Sequence, residues 1–396
     1  MARFANGKAP FLRKADEKTY GTQVIMRDFL IGLLPLIGFA WYKNGIKVYI
    51  EGNATFLEMF YPIIFIILGG IISMIIEGLF FIITDKEIRS FKSLMNRLSL
   101  SYAMIPGILL AMILPLYTPI WVLIFGCIMA TLVAKLLFGG FGYNIFNPAL
   151  IGYAAIAFTL MGVINRAGGA LNGSEVLVDA IAGATPLSTL STTNILSYQT
   201  LVAPYGSLWN FFIGTIPGAL AETSALACII SFVWLSARKV IKWFVPVIYI
   251  GTVFILSWLI GIISGQTGIW FPTYSILSGG LMFGAIFMAT EPVTTPKNPL
   301  GKMVFALFLG VFTVLFRFVG QYPEGVATSI IFMNIFSMPI DKWTGVIRTE
   351  GVTKKTIIKI VILVILIIAI AAYALFKASS IYTATIELPL IMRGWN

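Results

Sequence analysis

Side chains able to bind cations or carry cofactors are scarce in this sequence, so their positions are informative. Three carboxylates sit within or at the ends of strongly apolar segments: Glu77 in SMIIEGLF, Glu222 in GALAETSALA and Glu291 in FMATEPV. An ionisable group at the centre of a membrane-embedded segment costs about 2.5–3.5 kcal/mol on insertion scales, which makes each a candidate for holding a cation or proton in transit. The structural alternative is a carboxylate that caps a helix end or pairs with a lysine of the adjoining loop. Glu222 is the strongest candidate. Pro217 and Gly218 interrupt its segment, and a broken helix exposes carbonyls that can share in cation binding.

A hydroxyl is presented in a different setting in DAIAGATPLSTL, residues 179–190. Thr185 follows Gly183 and Ala184 and precedes Pro186, which fixes its own φ and pushes the preceding residue out of helix. The small neighbours leave room around the hydroxyl for a bulky attached group. Asp179 lies six residues upstream. Taken alone, the stretch is a turn and Asp179 a solvated loop carboxylate.

Several chemistries are excluded by what is missing. With no histidine, the chain has neither imidazole metal sites nor His-based acid–base catalysis. Its two cysteines, Cys127 and Cys228, lie in apolar segments, read as small core residues, and cannot alone complete the four-ligand set of an iron–sulfur cluster. There is no Gly-x-Gly-x-x-Gly dinucleotide fingerprint. No metal site and no complete catalytic constellation is expected.

The elements that position these residues are membrane spans. The chain has 396 residues, 59% hydrophobic and only 11% charged, with a mean hydropathy of +0.94; a soluble domain carries roughly 25% charged residues. The net charge of +11 is gathered in short connections between apolar runs, which argues for topology rather than for binding nucleic acid or anionic lipid. Spans are predicted at about 25–42, 56–83, 99–116, 119–138, 149–164, 244–264, 303–319, 325–338 and 356–376, with two further Gly/Pro-broken segments at about 208–235 and 270–293. Placing the basic connections in the cytoplasm is consistent at every step. The N-terminus and the connections 85–97, 238–242, 297–302 and 342–359 fall inside; loop 165–205 and the C-terminus fall outside.

The expected architecture is therefore an all-α polytopic membrane protein. About ten core spans form two inverted five-helix repeats with broken helices, and one extra C-terminal span follows. The expected divisions are a cytoplasmic segment 1–24, a first repeat 25–164, an extracytoplasmic loop 165–205, a second repeat 206–340, and a basic linker, extra helix and tail over 341–396. Unrelated halves with kinked helices are the alternative. The stretch FGGFGYNIFNPALIG, with Gly139, Gly140, Gly142, Asn144 and Asn147, reads as re-entrant and lets backbone approach a planar ligand or a facing half-helix. Arg317, near the outer end of its span, is expected to snorkel or to meet Glu324.

Four stretches together, DAIAGATPLSTL, FGGFGYNIFNPALIG, GTIPGALAETSALA and GGLMFGAIFMATEPV, resemble the D subunit of the Rnf complex and the related B subunit of the sodium-pumping NADH:quinone reductase. The resemblance covers roughly residues 20–345. It implies a flavin-carrying subunit of an ion-translocating ferredoxin:NAD oxidoreductase, not catalytic alone, in the cytoplasmic membrane of a bacterium. In that family the Thr of a Ser-Gly-Ala-Thr turn carries FMN through a phosphoester bond made by a separate flavin transferase. That position matches Thr185, with Gly183 and Ala184 beside it, Ala182 where the family usually has Ser, and Asp179 similar to a family acidic position. The resemblance also implies a second, non-covalent flavin, riboflavin, which the glycine-rich stretch can border; packing alone would account for that stretch equally. The segment before the first span, of about 25 residues, favours Rnf over the quinone reductase. The competing class is a non-redox channel of the urea or ammonium type, which would have no use for a flavinylated outer loop. The span at 356–376 and its tail exceed the family's usual ten spans.

The basic-loop alternation generates a topological prediction. Asn172→Cys is expected to react with impermeant thiol reagents from outside intact cells and Ser93→Cys is not; the reverse labelling pattern would invert the orientation.

Overall fold

The computed structural model describes residues 21–85, 88, 90–116, 118–160, 162–164, 186–320, 325–350 and 353–391, and among them every regular element is helical. Two long apolar helices come first, α1 (Thr22–Ile50) and α2 (Glu58–Thr84). α3 (Phe91–Ser101) and α4 (Ile105–Ile113) form a pair bent by 54°, followed by the shorter apolar helices α5 (Ile120–Leu136) and α6 (Pro148–Thr159). α7 (Pro186–Thr193) lies within the expected loop 165–205, and α8 (Leu208–Ile213), α9 (Ala225–Ala237) and α10 (Phe244–Ile263) follow. A second pair, α11 (Trp270–Leu277) and α12 (Leu281–Met288), is bent by 65°. α13 (Pro299–Val319), α14 (Gly325–Glu350) and α15 (Lys354–Ile391) complete the chain.

The all-helical, multispan reading stands. By length and hydropathy, five described helices can cross a membrane (α1, α2, α10, α13 and residues Ile357–Tyr382 of α15), or seven when each bent pair counts as one span. Some boundaries differ from the expected ones. The basic connection after α2 is half helical: α3 begins at Phe91, capped by Ser90, whose hydroxyl accepts from the Ser93 amide at 3.2 Å while Ser93 reciprocates. Its charged face made it read as loop. α14 runs unbroken through residue 340 to Glu350, beyond the expected start of the linker, and its second half carries Asp341 and Lys342. The turn holding Asp179, Gly183, Ala184 and Thr185 lies outside the described residues.

Packing is tight where helices approach backbone to backbone. α4 lies against α2 so closely that a Cβ on Gly107 would collide with the Gly69 carbonyl oxygen, and one on Gly69 with the Gly107 carbonyl, so both positions need glycine. α13 is packed between α10 and α14, and α9 lies on α1. The α1–α9 contact is clipped by Asp28: its carboxylate accepts from Arg238 Nε at 2.8 Å, and its carbonyl accepts from the Trp234 indole at 3.1 Å. Side-chain hydroxyls tie helices across the bundle, with Thr131 of α5 on Ser73 of α2 at 2.9 Å and Tyr249 of α10 on Thr313 of α13 at 2.6 Å. Cys127 and Cys228 are buried core residues, as their apolar setting suggested.

π-helical turns interrupt α1 (Tyr42–Ile46), α5 (Ile128–Leu136), α12 (Gly284–Met288) and α13 (Leu315–Val319). Such turns re-aim side chains within a helix and recur at functional sites. Those of α1, α5 and α13 each present a basic side chain to the sites described next.

Candidate functional site

Both bent pairs break in the same way. At the first, Tyr102 takes a left-handed conformation (φ 53°) directly after Ser101; at the second, Gly279 does so (φ 63°) directly after Ser278. A break of this kind strands the last carbonyls of the preceding half-helix, and hydrocarbon offers them no donor. In each case a buried cation from a π-helical turn supplies one. Lys135 of α5 donates to the Ser101 carbonyl at 2.7 Å. Arg317 of α13 donates to the Ser275 and Ser278 carbonyls at 2.6 and 3.3 Å. Arg317 is thus a buried helix-end cap rather than a snorkelling residue, with both terminal guanidinium nitrogens donating to those carbonyls where it stands. Glu324 lies outside the described residues.

Glu77 is the counter-charge of the first cap. Its carboxylate accepts from Lys135 Nζ at 2.7 Å and from the Ser101 hydroxyl, with both charged side chains almost fully enclosed. The partner is not the adjoining loop lysine that a capping role suggested but a residue of another helix. The same lysine reaches the edge of a cleft lined by Tyr102, Phe141, Asn144, Asn147, Phe287 and Glu291. Glu291 is half-buried there, accepting from Asn144 Nδ2 at 3.3 Å and from Thr294 Oγ1 at 3.0 Å. Asn147 caps α6 through the Leu150 amide and receives the side-chain oxygen of Asn334 on its own amide at 3.1 Å. Gly139, Gly140 and Gly142 have φ of 112°, 89° and 93°, which brings Phe141 and Asn144 round to the cleft wall.

Glu222 occupies a second, smaller cavity, bordered by Gly280, Tyr153 and Met288. A Cβ on Gly280 would collide with Glu222 Oε2, so the carboxylate rests on the backbone that opens α12, where the positive end of the helix dipole favours an anion. The two cavities therefore flank α12, with Glu222 at its start and Asn147 and Glu291 beyond its end. Glu77 and Glu291 are brought to one region through Lys135; Glu222 is not.

The residue after Thr185 is firmly held. Pro186 is buried, its carbonyl accepts from the Tyr274 hydroxyl at 2.6 Å, and Leu187 packs over Gly279 at the second break. Farther along the same stretch, Gln266 donates to the Leu196 carbonyl at 2.7 Å and Tyr198 meets Trp270 edge to face. Among the described residues no group of three or more Cys, Asp or Glu side chains is placed to hold a metal ion.

Reasoning from sequence misses Lys43 and Lys135 and misplaces Arg317, although a signal is present. The cost that singles out Glu77 applies equally to a cation in LVAKLLF or TVLFRFV.

The model of the NQR2, RnfD, RnfE family matches residues 7–350. The chain belongs to that family. α15 lies beyond the matched residues of this NQR2/RnfD/RnfE protein. Among its relatives is the D subunit of the proton-translocating ferredoxin:NAD(+) oxidoreductase complex of Clostridium ljungdahlii, 39% identical over 61% of this chain and 72% of the relative. The D subunit of the Na(+)-translocating ferredoxin:NAD(+) oxidoreductase complex of Acetobacterium woodii is 31% identical over 85% of this chain and 92% of the relative. The D subunit of the ion-translocating oxidoreductase complex of Citrobacter koseri is 32% identical over 61% and 76%.

The Lys135–Glu77 pair gives a stability prediction. Lys135→Met leaves a carboxylate enclosed without its cation and the Ser101 carbonyl without its donor, a loss of about 3–5 kcal/mol for breaking one side of a buried pair. Lys135→Met/Glu77→Met removes both charges and is expected to recover most of it, read as the thermal-inactivation midpoint of the protein in nanodiscs. Equal loss in single and double variants would show that the charge pairing does not matter.

Proposed function

We propose that this chain is the D subunit of a Rnf-type, ion-translocating ferredoxin:NAD oxidoreductase in a bacterial cytoplasmic membrane, carrying FMN on Thr185 by a phosphoester bond. Its relatives' names supply the complex; the Gly183-Ala184-Thr185 turn supplies the attachment. The observation that carries the reading is that Pro186, bonded directly to Thr185, is anchored to Tyr274 of the second bent pair. An electron carrier tethered there is held at one position against the bundle instead of drifting with a loop. A flavin takes up two electrons and releases them singly, a chemistry the protein can use only by fixing where the flavin sits. Asp179 is assigned to docking the flavin transferase that makes the bond.

The cleft between Lys135 and Glu291 fits a second flavin, riboflavin. Tyr102, Phe141 and Phe287 offer flat apolar surface, while Asn144, Asn147 and Lys135 offer donors for the carbonyl and nitrogen edge of an isoalloxazine. The Glu77 charge holds Lys135 in place for that role.

Two inverted five-helix repeats, 25–164 and 206–340, joined by the outer loop 165–205, account for the matched breaks. The bent pairs, the left-handed residue after each serine, the cation from the π-helical turn of α5 or α13 and the hydroxyl ties Ser73–Thr131 and Tyr249–Thr313 all recur once per half. The N-terminal segment 1–24 is then cytoplasmic, and the linker, α15 and tail over 341–396 form an addition that faces lipid or a neighbouring subunit. Glu222 is the ion-path carboxylate, with Glu291 and Glu77 as further members of the path. Glu222 is preferred because it stands at an interrupted helix and beside loose carbonyls.

Thr185→Ala is expected to abolish the fluorescent, covalently flavinylated band on a denaturing gel when a flavin transferase is co-expressed, while Thr189→Ala and Thr192→Ala retain it. Covalent flavin persisting in Thr185→Ala would sink the assignment, and mass spectrometry of the peptide spanning residue 185 locates the bond.

Glu222→Gln is expected to assemble and keep its flavin but to lose ion transport in sealed vesicles of the intact complex. Normal pumping by that variant would remove Glu222 from the path.

A further inference from the structure

The segment between α8 and α9 is held by α1 rather than by its own helix. Gly214 ends α8 in a left-handed turn (φ 102°), and residues up to Ser224, the cap of α9, carry no helical ladder. The amides of Leu220 and Ala221 donate instead to the Leu114 and Met112 carbonyls at the end of α4, at 3.1 and 3.0 Å. The segment's own carbonyls are left to face α1, where the π-helical turn Tyr42–Ile46 puts two consecutive polar side chains against them. Asn44 donates to the Leu220 carbonyl at 3.3 Å. Lys43 Nζ donates to the Ile216 carbonyl and, at 3.0 Å, to the Thr223 hydroxyl. Glu222 directly precedes Thr223 in the same segment.

An ammonium held by a peptide carbonyl and a hydroxyl, beside a carboxylate, takes the place of a hard cation among its oxygen ligands. It differs from a bound ion in being attached to the chain by a flexible four-carbon stem with a single positive charge at its end. The local negative charge compensates one cation. A second positive charge arriving beside Glu222 would lack a partner in a water-poor setting, so the lysine and a free ion exclude each other.

We propose that Lys43 is the tethered occupant of an alkali-cation site formed by the Ile216 carbonyl and the Thr223 hydroxyl beside Glu222, and that a transported cation enters only as the ammonium withdraws. This rests on the reading of Glu222 as the ion-path carboxylate and adds the residue that regulates its occupancy. One positive charge leaves the ligand set as one enters, so the net charge beside Glu222 is the same in both states. Movement of α1 relative to the 214–224 segment then becomes a movement that loads or empties the site.

The test is equilibrium binding of 22Na+ to the purified, intact complex. A site whose competent form is populated only when Lys43 is withdrawn binds with an affinity reduced by that fraction, so removing the competitor is expected to tighten Na+ binding about tenfold or more. Lys43→Met should show this gain, Lys43→Arg should not, and Lys43→Met/Glu222→Gln should lose it. An assembled Lys43→Met complex with unchanged 22Na+ binding overturns the proposal, as does a gain that survives in the double variant. If Lys43→Met does not assemble, Lys43→Gln, which keeps an N–H donor for the Ile216 carbonyl without the charge, is read in the same assay. Failure of both to assemble would make Lys43 a structural clamp and overturn the proposal. The outcomes separate from those for Glu222 itself. Abolished pumping in Glu222→Gln with unchanged binding in Lys43→Met defeats only the role given to Lys43.

Discussion

A helix broken inside hydrocarbon leaves carbonyls that lipid cannot satisfy, and the architecture of this protein depends on how that demand is met. At each of two breaks, a long basic side chain comes from a different helix and places its charge on the stranded carbonyls: Lys135 at Ser101 and Arg317 at Ser278. A neutral donor would satisfy the same geometry more weakly, since charge-assisted hydrogen bonds are roughly twice as strong. The cation brings its own cost of burial, and in the first half Glu77 offsets it. The positions of α5 against α2 and of α13 against α11 follow from these contacts.

The breaks also create the surfaces on which chemistry can occur. An intact transmembrane helix hides its backbone; a broken one offers a half-helix start, loose carbonyls and room for a side chain. Glu222 uses the start of α12, where Gly280 leaves space for the carboxylate against the backbone. The aromatic cleft uses the turn around Phe141 and the far end of α12. One short half-helix, Leu281–Met288, thus lies between a candidate cation cavity and a candidate flavin cleft. A small displacement of α12 would be felt at both, and this gives a physical route for coupling electron position to ion occupancy in the proposed function.

The stretch after Thr185 docks onto the same bent pair. Tyr274, which holds the Pro186 carbonyl, belongs to α11, and Leu187 covers the break at Gly279 that Arg317 caps. The proposed attachment point, the second break and the Glu222 cavity are therefore mechanically contiguous, although they lie far apart along the chain.

By itself the sequence determined what local composition controls. The shortage of charge, the apolar runs and the basic connections made the chain an all-helical membrane protein, and Gly and Pro marked the interruptions within 208–235 and 270–293, whereas the break at Tyr102 fell inside the expected span 99–116, where none was predicted. A carboxylate surrounded by apolar residues was visible as costly before any partner was known, which is why Glu77, Glu222 and Glu291 could be named. The tertiary structure decided the partners, because pairing joins residues whose separation no local pattern encodes. Lys43 and Thr223 meet across 180 positions, and Lys135 and Glu77 across 58. It also decided that residues 91–101 are helical, since the charged face of α3 is offset by capping and contact with α2 rather than by its own hydropathy. Arg317 was expected to reach for water or for Glu324; only the folded chain shows the two carbonyls to which its terminal nitrogens donate.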